Sequence, residues 1–240
     1  MVWWIIAVFF AFLVKGICGF ANTPVMTSIL TLSGTLNNVD ISPVDLLIGY
    51  PANIVMTLRE RKSIRWKVCL PLIILVIAGS IPGAIFLKNA DTGLIKIIFG
   101  FAVIMIAIEM LLRLFLPGKM KESKVLLLLI GLISGIMCGL YGVGALMSGY
   151  ISRVTEDTKQ LKANISFVFL SENTVRLVTY LAAGIITAAS ALTALKLLPV
   201  MLAGMFSGMY IGKKIPEKPV KIMVTIMLMV TGVILILNSI

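Results

Sequence analysis

Several long stretches of the chain carry no charged residue at all, among them Val68–Leu87, Val125–Ser152, Leu197–Gly212 and Ile222–Ile240. A helix crosses a bilayer with ~20 apolar residues, so runs of this length and polarity are read first as membrane spans. Composition agrees, because 60% of the 240 residues are hydrophobic and only 13% are charged. An ordinary soluble domain is about half apolar and about a quarter charged. Residues 1–240 therefore read as a single all-α polytopic membrane domain, with almost no sequence left for a soluble one.

The formal net charge is +11, and sixteen of the 21 basic residues fall in four short stretches: Arg59–Lys67, Arg113–Lys124, Arg153–Lys162 and Lys213–Lys221. Clusters of this kind mark the cytoplasmic loops of a multi-pass protein in the cell (inner or plasma) membrane. Anionic lipid headgroups are the only large polyanion they need to meet, so nucleic acid is not expected as a partner. The chain has no His and three Cys, namely Cys18, Cys69 and Cys138. Their spacing makes no metal site and no disulfide framework, and no cofactor is expected. The N-terminus lacks the basic start and the small-residue cleavage site of a signal peptide.

Hydropathy divides the chain into eight segments, roughly 2–34, 44–58, 66–87, 94–116, 124–152, 162–184, 191–212 and 220–239. The first and fifth are too long for one span, too short for two, and interrupted by glycines. They also resemble each other, with Ile17-Cys18-Gly19-Phe20 in one and Met137-Cys138-Gly139-Leu140 in the other, 120 residues apart. The same offset pairs Asn53 with Asn173, and "AGSIPGAIF" (78–86) matches "AGMFSGMYI" (203–211) slightly further on. An internal duplication is predicted, with repeats at 1–117 and 122–240, each holding four segments and opening on a Gly-broken or re-entrant one. If the long segments dip in and return, each half crosses three times, the halves are inverted, and all four basic stretches share one side. That arrangement satisfies the charge bias without exception and is preferred to a parallel one. It sends Asn37–Asp45 to the other side as a loop.

Irregular backbone at membrane depth is tolerated only where protein buries it or where it lines a cavity. The ends of broken helices leave N–H groups free at the positive end of the helix dipole, which suits an anion. Asn22 and Thr23 before Pro24 read as a helix restart, and Gly142 and Gly144 do the same in the second half. Lys15 is the single charge in the first long segment. A cation at the bilayer centre costs at least ~2.5–3.5 kcal/mol on insertion scales, so it faces a cavity or a partner, or snorkels to the interface. The candidate anion site comprises Lys15, Gly19, Asn22 and Thr23 from the first break and Gly139, Gly142 and Gly144 from the second.

Glu172 and Arg176, at i,i+4 on one helix face, read as a self-neutralising pair that fixes packing. The functional alternative is that Arg176 faces substrate while Glu172 takes protons. Asn53 and Asn173 are expected to cap backbone freed at the breaks. Cys18 and Cys138 read as small packing residues at tight turns. The run Gly204–Gly208–Gly212 offers a small-residue face for internal packing or for a homodimer. No Walker sequence and no Ser– or Cys–base pair is present, so an enzyme is not expected.

The second-half glycines (Gly135, Gly139, Gly142, Gly144), the opening "KGICGFANTP", and the polar-containing helix "FVFLSENTVRLVTYLAAGII" together resemble the sulfite exporter TauE/SafE family over essentially the whole chain. The first half departs from it, with Ala21-Asn22-Thr23 where the family often has glycine. The resemblance implies an integral inner-membrane transporter for sulfite, sulfoacetate or related anions. Residue chemistry and resemblance thus converge on a secondary carrier or exporter of a small anion, sulfite or an organosulfur acid. The alternatives are a cation or other metabolite carrier using Glu172 and, behind it, a membrane thiol-redox protein using Cys18 and Cys138.

Overall fold

The long apolar runs fold as helices, and the computed structural model describes residues 1–32, 38–86, 124–142, 144–155 and 157–237, with scattered positions between 97 and 111. In chain order the helices are α1 (Val2–Cys18), α2 (Asn22–Leu32), α3 (Asn38–Glu60) and α4 (Trp66–Phe86), followed by α5 (Lys124–Tyr141) and α6 (Ala145–Val154). The chain ends with α7 (Thr158–Ala182), α8 (Ala188–Gly212) and α9 (Glu217–Leu237). All regular structure among the described residues is helical. The predicted segment at 94–116 and the basic stretch at 113–124 lie almost wholly outside the described residues. Among the described residues three helices are long and apolar enough to cross a bilayer: Ile41–Ser63, Trp66–Ile85 and Ala188–Gly212.

Both long segments are broken. α1 ends on Gly19, whose φ of 96° is left-handed and whose N–H donates to Lys15 O at 2.7 Å. Two residues later Ala21 is also left-handed, φ 72°, a conformation costing roughly 1–2 kcal/mol without glycine. α2 then restarts at Asn22, and its residues Met26 and Leu30 share a core with Ala7, Val8, Ala11 and Phe12, so it packs back along α1. In the second half the left-handed residue is Gly142, φ 69°, whose N–H caps on Cys138 O at 2.8 Å. Gly139, predicted at this break, instead lies inside α5. There its missing side chain lets α4 approach, since a Cβ would stand 2.7 Å from Ala84 N.

Each broken segment packs on a helix from the opposite half of the sequence: α1 against α8, and α5 against α4. α3 and α7 pack on one another. Glycines set the first two contacts, because dispersion between closely approaching backbones replaces the hydrophobic drive that lipid cannot supply. Gly204, Gly208 and Gly212 all face α1, with a Cβ at Gly208 standing 2.9 Å from Leu13 C. That small-residue face is therefore spent inside the chain. On the other contact Gly79 and Gly135 interleave, a Cβ at Gly135 meeting Gly79 Cα at 2.9 Å.

The outer surface is apolar, with Phe10, Ile74, Leu195 and Tyr210 all exposed, while the charged residues Lys15, Asp45, Glu172 and Arg176 are buried. That is the reverse of a soluble domain and the polarity a lipid-facing bundle needs. The Gly208→Leu variant drives a branched side chain into the α1 backbone and should destabilise the protein by at least ~2 kcal/mol. A thermal-unfolding midpoint in detergent close to wild type would contradict the close α1–α8 contact.

Candidate functional site

The two breaks meet at a buried polar cluster. Its wall comprises Lys15 of α1, Asn22 and Thr23 at the start of α2, Asp45, Gly49 and Asn53 of α3, Gly142, and Phe169, Asn173 and Arg176 of α7. α7 brings its members together because Phe169, Asn173, Arg176 and Tyr180 recur at three- and four-residue spacing on one helix face. α3 contributes Asp45, Gly49 and Asn53 by the same rule.

Lys15 is 1% exposed and Asp45 3%, and Asn22 joins them. Lys15 Nζ donates to Asn22 Oδ1 at 2.9 Å, and Asn22 Nδ2 donates to Asp45 Oδ1 at 2.8 Å. Thr23 Oγ1 lies 2.5 Å from Asp45 Oδ2 and 3.1 Å from Gly142 O. The ammonium also sits over the Phe169 ring, 5.4 Å from its centre. A second chain starts at Arg176, whose Nη2 donates to Ser42 Oγ at 2.7 Å. Tyr180 OH donates to Gly139 O at 2.8 Å, so its one hydrogen is committed, and at 3.0 Å it accepts from the Ser42 hydroxyl. The guanidinium stacks on the Tyr180 ring at 4.8 Å. Each buried cation is thus connected, through neutral polar groups, to a carbonyl at the end of α5.

Some capacity is left over. Among the described residues Arg176 Nε, Asn53 Oδ1 and Glu172 Oε2 are buried without a hydrogen-bond partner, which is uncommon for buried polar atoms and marks places where a ligand or water can bind. The enclosed cavity is about 10 Å³, about the room one water needs. A much larger cavity of about 360 Å³ lies at one end of the bundle, bounded by Gly16, Arg59, Glu60, Asp157, Lys159, Lys162 and Lys213. Three of the four basic stretches therefore converge there. Lys162 Nζ donates to Gly16 O at 3.2 Å, one residue away in sequence from Lys15.

Of the residues singled out in the sequence, Lys15, Asn22, Thr23, Asn53, Gly142, Asn173 and Arg176 line the small cavity. Lys15 is buried among partners and does not snorkel. Gly19 packs instead against Lys162, 3.0 Å from its Cγ to an added Cβ, and Gly144 against the Phe169 ring. The amides of Gly19 and Gly142 are already engaged in their helix caps. Donors at the α2 restart therefore belong to Asn22 and Thr23, since Pro24 has none and Val25 N bonds Ala21 O.

Three expectations are corrected. Glu172 and Arg176 do not form a pair within salt-bridge distance: Glu172 Oε1 accepts from Ser80 of α4 at 2.7 Å, while Arg176 reaches Ser42 of α3. No hydrogen bond from Asn53 or Asn173 caps either break among the described residues. Asp45, assigned to a loop on the far side, lies inside α3 and in the site. It is the single charge between Ile41 and Leu58, and that isolation was the available signal. Ser42 and Tyr180 carried no such mark. Cys18 and Cys138 are buried free thiols in one core cluster, Cys18 closing α1 as expected.

The chain matches the family model described as sulfite exporter TauE/SafE over residues 4–235, and it belongs to that family. No curated protein and no solved structure shows significant similarity to it. Membership makes the chain a multi-pass membrane transporter.

Asn22 is the bridge between a buried cation and a buried carboxylate. Replacing it with Leu, Asn22→Leu, removes hydrogen bonds to two charged groups and should cost about 3 kcal/mol. A loss below about half a kcal/mol in detergent unfolding would mean that other groups satisfy Lys15 and Asp45 without it.

Proposed function

We propose that this TauE/SafE-family chain is a secondary carrier of a small oxyanion or organosulfur acid, sulfite among the candidates, bound between the two breaks by Lys15 and Arg176. The observation that carries it is the pair of buried cations on one cavity wall, with Arg176 Nε holding a hydrogen that no group among the described residues accepts. A guanidinium donor is directional and suits a planar or tetrahedral oxyanion. Asn22, Thr23 and Asn173 would complete the shell with neutral hydrogen bonds. The geometry gives a weaker place to a cation carrier built on Glu172, which lies behind the cavity wall against Ser80.

At about 10 Å³ the cavity is closed around less than a sulfite ion. Access is inferred from the large basic cavity, which shares the Gly16 turn of α1 with the site and is walled off by Lys162. Four basic residues against Glu60 and Asp157 leave this lining net positive, and a cleft of net positive charge concentrates anions and speeds their arrival. Convergence of the basic stretches 59–67, 153–162 and 213–221 on this cavity supports their placement on the cytoplasmic side, and with it two inverted repeats. The exchange of packing partners, α1 on α8 and α5 on α4, supports the same duplication.

Ligand-induced thermal stabilisation of detergent-purified protein tests this, with sulfite, sulfate, thiosulfate and methanesulfonate compared with Ni²⁺ and Na⁺. An anion present at 100 times its Kd should stabilise the chain by ~2.7 kcal/mol. Lys15→Met and Arg176→Met should each weaken that response at least tenfold in concentration. A response to cations alone would reject anion transport.

A further inference from the structure

The charge balance of the site carries a consequence for coupling. Its four ionisable groups are Lys15 and Arg176 on one side and Asp45 and Glu172 on the other, none more than 3% exposed. With all four charged the cluster is neutral, and an entering anion leaves it one negative charge in excess. Such an excess in a low-dielectric interior is costly unless a proton accompanies the anion.

Two observations choose the carboxylate. Asp45 lines the cavity, whereas Glu172 lies behind the wall and is held by Ser80. The hydrogen count at Thr23 is the second. Its hydroxyl has one hydrogen, yet it lies within bonding distance of two acceptors, Asp45 Oδ2 at 2.5 Å and Gly142 O at 3.1 Å. An ionised Asp45 takes that hydrogen, and the Gly142 carbonyl loses its contact. A protonated Asp45 donates from Oδ2 to Thr23 Oγ1, which turns its own hydrogen to Gly142 O. Every partner is then satisfied.

We infer that the carrier moves a proton together with each monovalent anion, and that Asp45 is the group that carries it. This rests on the anion-carrier reading given above. The proton adds to Asp45 Oδ2, and the Asp45–Thr23–Gly142 chain ties the first break to the second. Its loss frees Thr23 from the second half. Loading of the site is thereby linked to the contact between the two broken segments. The titratable groups facing Asp45 are Lys15 from α1 and Arg176 and Glu172 from α7. Cys138 of α5 and Tyr180 of α7 lie beyond them, next to Arg176.

The full chain, reconstituted in liposomes that enclose a pH-sensitive dye, tests this with labelled methanesulfonate, which stays ionised and cannot leak as the neutral acid. In wild type, addition of the anion should acidify the interior. A gradient of one pH unit, acid outside, should drive roughly tenfold accumulation. Asp45→Asn should lose both proton responses, and any exchange of labelled for unlabelled methanesulfonate that it retains should proceed without them. Wild-type transport without proton movement overturns the coupling, and so does gradient-driven accumulation by Asp45→Asn. If Asp45→Asn does not fold, the wild-type dye signal decides alone. Failure of wild type to bind any anion is a separate outcome, which removes the anion-carrier reading and the coupling with it.

Discussion

Two opposite charges in the middle of an apolar bundle, Lys15 and Asp45, joined through Asn22, are the contact on which the rest of this architecture depends. Neither charge is tolerable alone in hydrocarbon, and a direct pair would leave lone pairs and protons unmet. The intervening amide solves both problems, because it accepts from the ammonium and donates to the carboxylate. Asn22 stands where it does only because α1 stops at Cys18 and α2 begins three residues after Gly19. The break is thus a device for putting a short polar side chain level with Lys15 and opposite α3.

The second half answers with backbone where the first uses side chains. Both polar chains end on carbonyls at the end of α5, Gly139 O and Gly142 O. Terminal carbonyls of a helix lack intrahelical donors, so the end of α5 presents acceptors that Thr23 and Tyr180 can reach. The glycine contacts of α4 with α5 and of α1 with α8 hold these ends in place. Buried polar groups and close helix packing therefore support each other: the first fix orientation, and the second provides dispersion that lipid does not compete for.

Much of this was legible in the sequence, for identifiable reasons. Interrupted apolar runs announce themselves through glycines, and both long segments do break near the positions read from them. Lys15 stood out as the single charge of the first long segment. Other features depended on tertiary partners. The second break offered Gly139, Gly142 and Gly144 alike, and only the packing separates them: Gly139 is needed where α4 crosses, and the left-handed Gly142 is where Arg176 arrives. Spacing at i,i+4 put Glu172 and Arg176 on one face, but hydroxyls on α4 and α3 hold them apart. Asp45 fell in the stretch that the charge argument sent to the far side, whereas α3 begins at Asn38 and carries Pro43 and Pro51 within it.

Gly16 faces the broad basic basin while its neighbour Lys15 faces the small polar cavity, so adjoining residues of one helix look into different compartments. The partition between them on that side is a single turn of α1 plugged by the Lys162 side chain. A long unbranched amine swings by rotating about its own carbon bonds, on a nanosecond scale, without displacing a helix. The side of the site nearest the basin is therefore bounded by an arm that can move without the helix it rests on.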